Sequence, residues 1–281
     1  MSSLGDSDSI CSNKIFPQHQ SILTIIQGKL DNPLTPKFNW LDLACGRGQI
    51  ISQIKNNLGS HRISKINYYG YDIENKFIKH TEELCKSAGL KFESKIGEIE
   101  DFTKHYKNTQ KFDLITLTNA LHEFNSNKIA FLLFECLIRL NTDGCLFIYD
   151  IESTNPLELG AVNWEQSEIS SVLKKFLDLL NIKNYFPEPG RWLHSTCHAW
   201  NIQIYKNYLN ITDDKIKKVK QTVLNGTQKL VKEIIFRKLT LCKQQLESLT
   251  NCGIGNDDER KTIHSLLYQF WALNSIKERM K

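Results

Sequence analysis

An α/β fold with a doubly wound, mostly parallel sheet is predicted, and three observations predict it. Strand-like and helix-like patterns alternate between residues 38 and 151. One apolar run, Phe38-Asn39-Trp40-Leu41-Asp42-Leu43, passes straight into the small, glycine-bearing stretch Ala44-Cys45-Gly46-Arg47-Gly48 and then into a helical pattern from Gln49. A second strand-like run, Tyr68-Tyr69-Gly70-Tyr71-Asp72-Ile73, ends in an acid at the spacing of about 20 to 30 residues that a βαβ unit imposes.

Taken in order, Pro17–Lys29 places apolar residues at Ile22, Leu23, Ile25 and Ile26, the spacing of an amphipathic helix. Asp31-Asn32-Pro33-Leu34-Thr35-Pro36 breaks it. Strands are expected at Asn39–Leu43, Tyr68–Asp72, Lys91–Ile96, Phe112–Thr118 and Cys145–Ile151. Helices are expected near Gln49–Leu58, Glu74–Ala88, Ile99–His105 and Lys128–Leu140, with Asp143-Gly144 stopping the last. Such alternation puts helices on both faces of a parallel sheet. After Ile151 the rhythm changes. Glu165–Leu180 reads as a long amphipathic helix, Pro187–Trp192 as a rigid loop, and Cys197–Tyr205 as a strand closing the sheet at its edge. From Thr212 the pattern is helical: Asp213–Lys243, a loop over Asn251–Asp257, then Glu259–Arg279.

Of the 281 residues 41% are hydrophobic, enough for a sizeable core. Met1–Asn13 is polar, with no basic stretch leading into an apolar one, so no export signal is expected. Ala130–Leu140 is broken by Glu135 and too short to span a bilayer. The eight cysteines form no CxxC pair and are expected as reduced thiols. A cytoplasmic protein without a membrane partner follows. The formal charge of +5 accompanies Lys-, Asn- and Ile-rich usage, so alone it argues weakly for a polyanion partner.

Leu41-Asp42-Leu43-Ala44-Cys45-Gly46-Arg47-Gly48 resembles the first motif of class I methyltransferases that use S-adenosylmethionine. The resemblance implies a Rossmann-like methyltransferase fold, that cofactor, and a binding loop formed by Asp42, Ala44, Cys45, Gly46 and Gly48. A dinucleotide site needs a third glycine where Ile51 stands, so that rival fails. Asp72 is placed to accept both ribose hydroxyls, with Ile73 beside it, while Asp42 supports the loop and engages the methionyl ammonium. In the resembling family an acid after the third strand takes the adenine amino group. Glu98, following Gly97, is that candidate, with Asp101 as the alternative.

Asn119-Ala120-Leu121-His122-Glu123-Phe124 resembles the stretch that lines the acceptor pocket in small-molecule members, and lacks the two prolines used on nucleobase amines. Asn119, which also faces the cofactor, and His122 are the catalytic candidates. His122 is either a general base near neutral pH or a packed ring bonded to backbone. Trp164, Tyr185, Phe186, Trp192 and His194 either wall the acceptor or fill core. His194-Ser195-Thr196-Cys197-His198 has no second ligand cluster, and no metal is expected.

The lysine-rich helix from Thr212 to Lys243 either tracks phosphates or carries a solvated face over a packed one. Leu266, Leu267, Phe270, Trp271 and Leu273 form an apolar stripe that docks on the body or in a homodimer. The expected organisation is an N-terminal helical segment (1–37), a methyltransferase domain (38–210) whose residues 151–194 cap the substrate, and a C-terminal helical extension (211–281). A small-molecule acceptor is expected; the rivals are an RNA methyltransferase and a cofactor-binding regulator without transfer.

Overall fold

The computed structural model describes residues 15–33, 35–153, 158, 160–194, 197–251 and 256–280. Helix α1 (Pro17–Leu30) buries Ile22, Leu23, Ile25, Ile26 and Leu30, the stripe its spacing predicts. There follow β1 (Phe38–Leu43), α2 (Gln49–Asn57), β2 (Ile66–Asp72), α3 (Asn75–Ala88), β3 (Lys91–Ile96), β4 (Phe112–Thr118), α4 (Ile129–Arg139) and β5 (Leu140–Ile151). The remainder comprises α5 (Gln166–Leu179), β6 (Gly190–His194), β7 (Cys197–Tyr205), α6 (Asp213–Lys218), α7 (Lys220–Asn251) and α8 (Asp257–Arg279).

The seven strands form one sheet in the order β3-β2-β1-β4-β5-β7-β6. β1 pairs in parallel with both β2 and β4, β2 with β3, and β4 with β5. Strand order therefore reverses at β1, and a doubly wound sheet binds ligands at the carboxyl ends beside such a reversal. Trp40 in β1 and Tyr68 in β2 are fully buried and meet edge to face at 4.8 Å. Each fully buried large apolar side chain of this kind contributes about 1.5–3 kcal/mol.

Two expectations are corrected. β7 is not the edge strand: β6 lies outside it, where a rigid loop is expected over Pro187–Trp192. This five-residue strand, starting just after Pro189, shows no apolar alternation because an edge strand need not bury either face. Asp143-Gly144 does not stop α4, which ends at Arg139. Both residues lie inside β5, where the register against β4 slips between Phe112 and Leu114. A Cβ on Gly144 would come 2.8 Å from the Phe112 carbonyl oxygen, so this bulge requires glycine.

The chain divides into two compact units. The first comprises Met1–Thr118, Glu135–Tyr149 and Asn201–Asn210; the second comprises Asn119–Phe134, Asp150–Trp200 and Ile211–Lys281. Within the second, α7 packs on α5 and α8. A Cβ on Gly226 would come 2.6 Å from Leu179, and Lys238 pairs with the buried Glu168 at 2.7 Å. The helix expected over Asp213–Lys243 is instead interrupted after Lys218 and then runs on to Asn251. Most of the loop expected over Asn251–Asp257 lies outside the described residues, and α8 starts on a capping box in which Asn256 accepts from the Glu259 backbone. No helix among the described residues is long and apolar enough to cross a membrane.

Candidate active site

The first unit carries the glycine loop. Ala44, Gly46 and Gly48 all have left-handed backbones, with φ of 54°, 53° and 69°. The loop is tied down at several points. Cys45 N donates to the Tyr71 carbonyl at 3.1 Å, and Thr81 Oγ1 donates to the Gly46 carbonyl at 3.0 Å. Asp72 is the central tie: its carboxylate accepts from Gly46 N at 2.8 Å and from Glu74 N at 2.9 Å. Burial raises the Asp72 carboxyl from its ordinary value, and the backbone N–H groups of Glu74, Gly46 and Ile73 work against that rise. The Ile73 backbone is a third donor to it, and a carboxylate offers about four lone-pair sites, so acceptor capacity remains for a ribose hydroxyl. Immediately beyond it Ile73 is 54% exposed, and Ile96 at the end of β3 is 47% exposed. Two uncovered apolar side chains at neighbouring strand ends suit the face of an aromatic base.

Asp42 faces inward. Its carboxylate accepts from Tyr68 Oη at 2.6 Å and Thr116 Oγ1 at 2.5 Å, and burial pushes it up to about 6. At 3% exposure it is placed to brace the loop from below, one part of the role expected of it. Cys45 is buried and its thiol is pushed well above its ordinary value by burial, so it offers a ligand backbone only. Glu98 is exposed, and its carbonyl accepts from Tyr71 Oη at 2.8 Å, leaving the side chain at the surface. Asp101 pairs with Lys104 at 2.8 Å. Ile96 was not singled out in the sequence, although an apolar residue directly before Gly97 at a strand end was a readable signal.

The second unit carries Asn119 and His122. Asn119 is exposed and left-handed, φ 52°, a conformation asparagine tolerates better than most residues. His122 is buried at 3% exposure. Its Nδ1 lies 2.6 Å from Asp150 Oδ1, and its backbone N donates to Asp150 Oδ2 at 2.9 Å. Its Nε2 lies 2.8 Å from Glu158 Oε2. Burial alone would push the ring down; Asp150 and then Glu158 outweigh it and carry it up to about 10. At neutral pH the ring is therefore an imidazolium donating from both nitrogens. In that state the ring has no lone pair left to take a proton, and its partners are carboxylates rather than backbone.

Neither Asp150 nor Glu158 was predicted. Asp150, near the carboxyl end of β5, repeats the acid-at-strand-end signal of Asp72. Glu158 lies 36 residues from His122 in a connection, and nothing local announces it. Among the described residues one group, His122, Glu123 and Glu158, brings three ligand-type atoms within 4.8 Å of one another. The aromatic residues separate: Trp164 is fully buried and its carbonyl accepts from Trp200 Nε1 at 2.7 Å, while Phe186 is exposed. Ser195 and Thr196, and the side chain of His194, lie outside the described residues.

A cavity of about 810 Å³ opens in the first unit among Lys29, Asn32, Phe38, Asp113, Asn141 and Tyr205. It sits at the amino ends of β1 and β4, the opposite edge from the glycine loop, where a doubly wound sheet does not bind its cofactor.

A reversal-point glycine loop locked to an acid at the end of β2 defines an α/β enzyme that holds an adenosine-type cofactor. A family model described as a methyltransferase domain matches residues 34–209, more than half of the chain, and the chain belongs to that family. Among curated protein sequences none matches it. Among solved structures it is similar to the magnesium protoporphyrin IX methyltransferase ChlM of Synechocystis PCC 6803 with bound SAH, at a TM-score of 0.50 and 11% identity. That match covers 73% of this chain and 94% of the other. The CurJ carbon methyltransferase is similar at 0.50 and 15%, covering 66% and 53%. TehB from Haemophilus influenzae aligns at 0.47 and 16%, covering 71% and 65%, so the chain spans about two thirds of that protein's length or less. The matched domain over residues 34–209 is that of a methyltransferase, and the Asp72 carboxylate with the uncovered Ile73 and Ile96 at the strand ends is chemistry that fits S-adenosylmethionine.

Proposed function

We propose that this enzyme transfers the methyl group of S-adenosylmethionine to a small-molecule acceptor. The observation that carries the reading is the Asp72–Gly46 lock, which joins the β2 acid to the glycine loop and leaves acceptor capacity for a ribose. Ala44, Gly46, Gly48, Asp72, Ile73 and Glu98 form the cofactor site in this reading, with Cys45 contributing backbone and Asp42 bracing. The cofactor supplies an electrophilic methyl group. The chain's residues hold and orient it, and Asn119 with the His122 pair shapes the acceptor side. Positioning and exclusion of water supply much of the acceleration in such a displacement.

The small-molecule reading gains from how the basic helices are used. Lys220 lies over the rings of Phe131 and Phe134, Lys238 pairs with Glu168, and Lys232 donates to the Met280 carbonyl. These cations are committed within the second unit, which weakens a phosphate-tracking role. The six described cysteines are free thiols, consistent with a reducing cytoplasmic setting. Calorimetry tests the reading: wild type should bind S-adenosylmethionine and Asp72→Ala should not. Equal binding by both proteins sinks the assignment.

A further inference from the structure

We propose that Glu158 is the catalytic group that receives the acceptor's proton, presented by a chain running Asp150–His122–Glu158. The inference rests on the methyltransferase reading above and names its acceptor class: an oxygen nucleophile that carries a proton, an alcohol or a phenol.

Burial falls along the chain in one direction. The Asp150 side chain is 1% exposed, His122 2% and Glu158 36%. Asp150 is fully buried and committed to its own surroundings, accepting from His122 N and Nδ1 and from Ile151 N at 2.8 Å. His122 is saturated as a donor at both nitrogens. Glu158 is the only member of the chain that reaches the surface. An accessible group held by a ring that is oriented in turn by a buried acid follows the logic of a catalytic triad, with a carboxylate in the outermost place.

Backbone bonds beside Glu158 are short: Ala161 N donates to the Glu158 carbonyl at 3.2 Å and Val162 N to the His122 carbonyl at 2.7 Å. The groups facing Glu158 are His122 and Glu123. The Glu123 carboxyl hydrogen-bonds to Glu158 and lies 3.9 Å from His122 Nε2. Burial, against the pull of His122, carries it up to about 7, so Glu123 is the donor of that carboxyl pair. The hydrogen bond from His122 holds the Glu158 carboxyl below its ordinary value, so it stays ionised through neutral pH.

A weak base suffices for an oxygen nucleophile. As a hydroxyl oxygen gains a methyl group it becomes an oxonium and strongly acidic. The bond broken in the acceptor is its O–H bond: the proton passes to a Glu158 oxygen, the electron pair stays on the acceptor oxygen, and solvent later takes the proton. The fixed negative charge also favours the cationic heteroatom as it forms.

The test uses the full chain, tritiated S-adenosylmethionine and the small-molecule fraction of a cell extract. Glu158→Gln keeps an acceptor for His122 Nε2 and should bind the donor as wild type does in calorimetry. Its transfer rate should fall at least about 100-fold, the range of lost proton transfer. Asp150→Asn should move the acid limb of the pH–rate profile upward, since an uncharged His122 no longer holds Glu158 ionised; a purely structural role would not move it. Histidine NMR gives a reading independent of activity: the His122 ring should remain doubly protonated at pH 8. Normal donor binding with unchanged transfer by Glu158→Gln, or a His122 ring titrating near 6.5, overturns the proposal. So does a larger loss in Glu123→Gln, or a divalent-cation requirement abolished by chelator, which would make the three side chains metal ligands. Loss of donor binding in wild type would instead sink the methyltransferase reading itself.

Discussion

Replacing Gly48 with alanine separates two costs that a neighbouring glycine keeps apart. Gly46 and Gly48 both have left-handed backbones, φ 53° and 69°, which cost an L-residue about 1–2 kcal/mol. A Cβ on Gly46 would meet nothing within 4 Å. On Gly48 it would lie 2.9 Å from Thr81 Oγ1, 3.0 Å from Cγ2 and 3.2 Å from Cα. Thr81 cannot swing clear: it is fully buried and its hydroxyl is committed to the Gly46 carbonyl. Overpacking of this kind costs about 1–3 kcal/mol more. Gly46→Ala should therefore lose about 1–2 kcal/mol and Gly48→Ala about 2–5 kcal/mol, measured by urea unfolding followed by circular dichroism. Thr81→Ser in the Gly48→Ala background removes Cγ2 and should restore part of the excess. Equal stability of the two alanine variants would refute the packing argument and leave only the backbone cost.

Other expectations follow from the same geometry. Ala44 is left-handed at φ 54° without being glycine, so Ala44→Gly should stabilise the protein by about 1 kcal/mol in the same unfolding assay; a loss would show that its methyl group packs usefully. His122 has a folded value near 10 against about 6.5 unfolded, so its stabilisation is complete below pH 6.5 and is lost as pH rises towards 10. Stability should fall between pH 6.5 and 8.5 by up to about 1.4 kcal/mol per unit, below the range where buried thiols add their own loss. Asp150→Asn should flatten that slope, and an unchanged slope would remove the imidazolium. Binding of a mixed RNA at low salt should be weak, because the cations at positions 220, 232 and 238 are already engaged. Tight binding that falls steeply with salt would restore the nucleic-acid reading.

The legible parts of this molecule are those where one local pattern has one physical solution. An apolar run passing into Gly46 and Gly48 can only be a buried strand turning tightly into a helix, and β1, the loop and α2 follow it closely. Asp72 was legible because its place depends on a spacing within one βαβ unit. β6 was not, since a short edge strand need not alternate. The start of β5 was misread because Asp-Gly fits both a helix stop and a bulge; the choice depends on the Phe112 carbonyl, a neighbour distant in sequence. The charge on His122 was hidden for a similar reason. Its state is set by acids 28 and 36 residues away, which become neighbours only after the chain has folded.

The interleaving of the two units has a consequence for how such an enzyme can change. The residues around His122 and those around Asp72 belong to different units, yet neither unit is a continuous stretch of chain. The chain passes from one to the other at residues 118, 134, 149, 200 and 210. Neither unit can therefore be exchanged by a single recombination event, as a module that follows another in sequence can. Each has to drift by substitution, one side chain at a time, with the other translated in between.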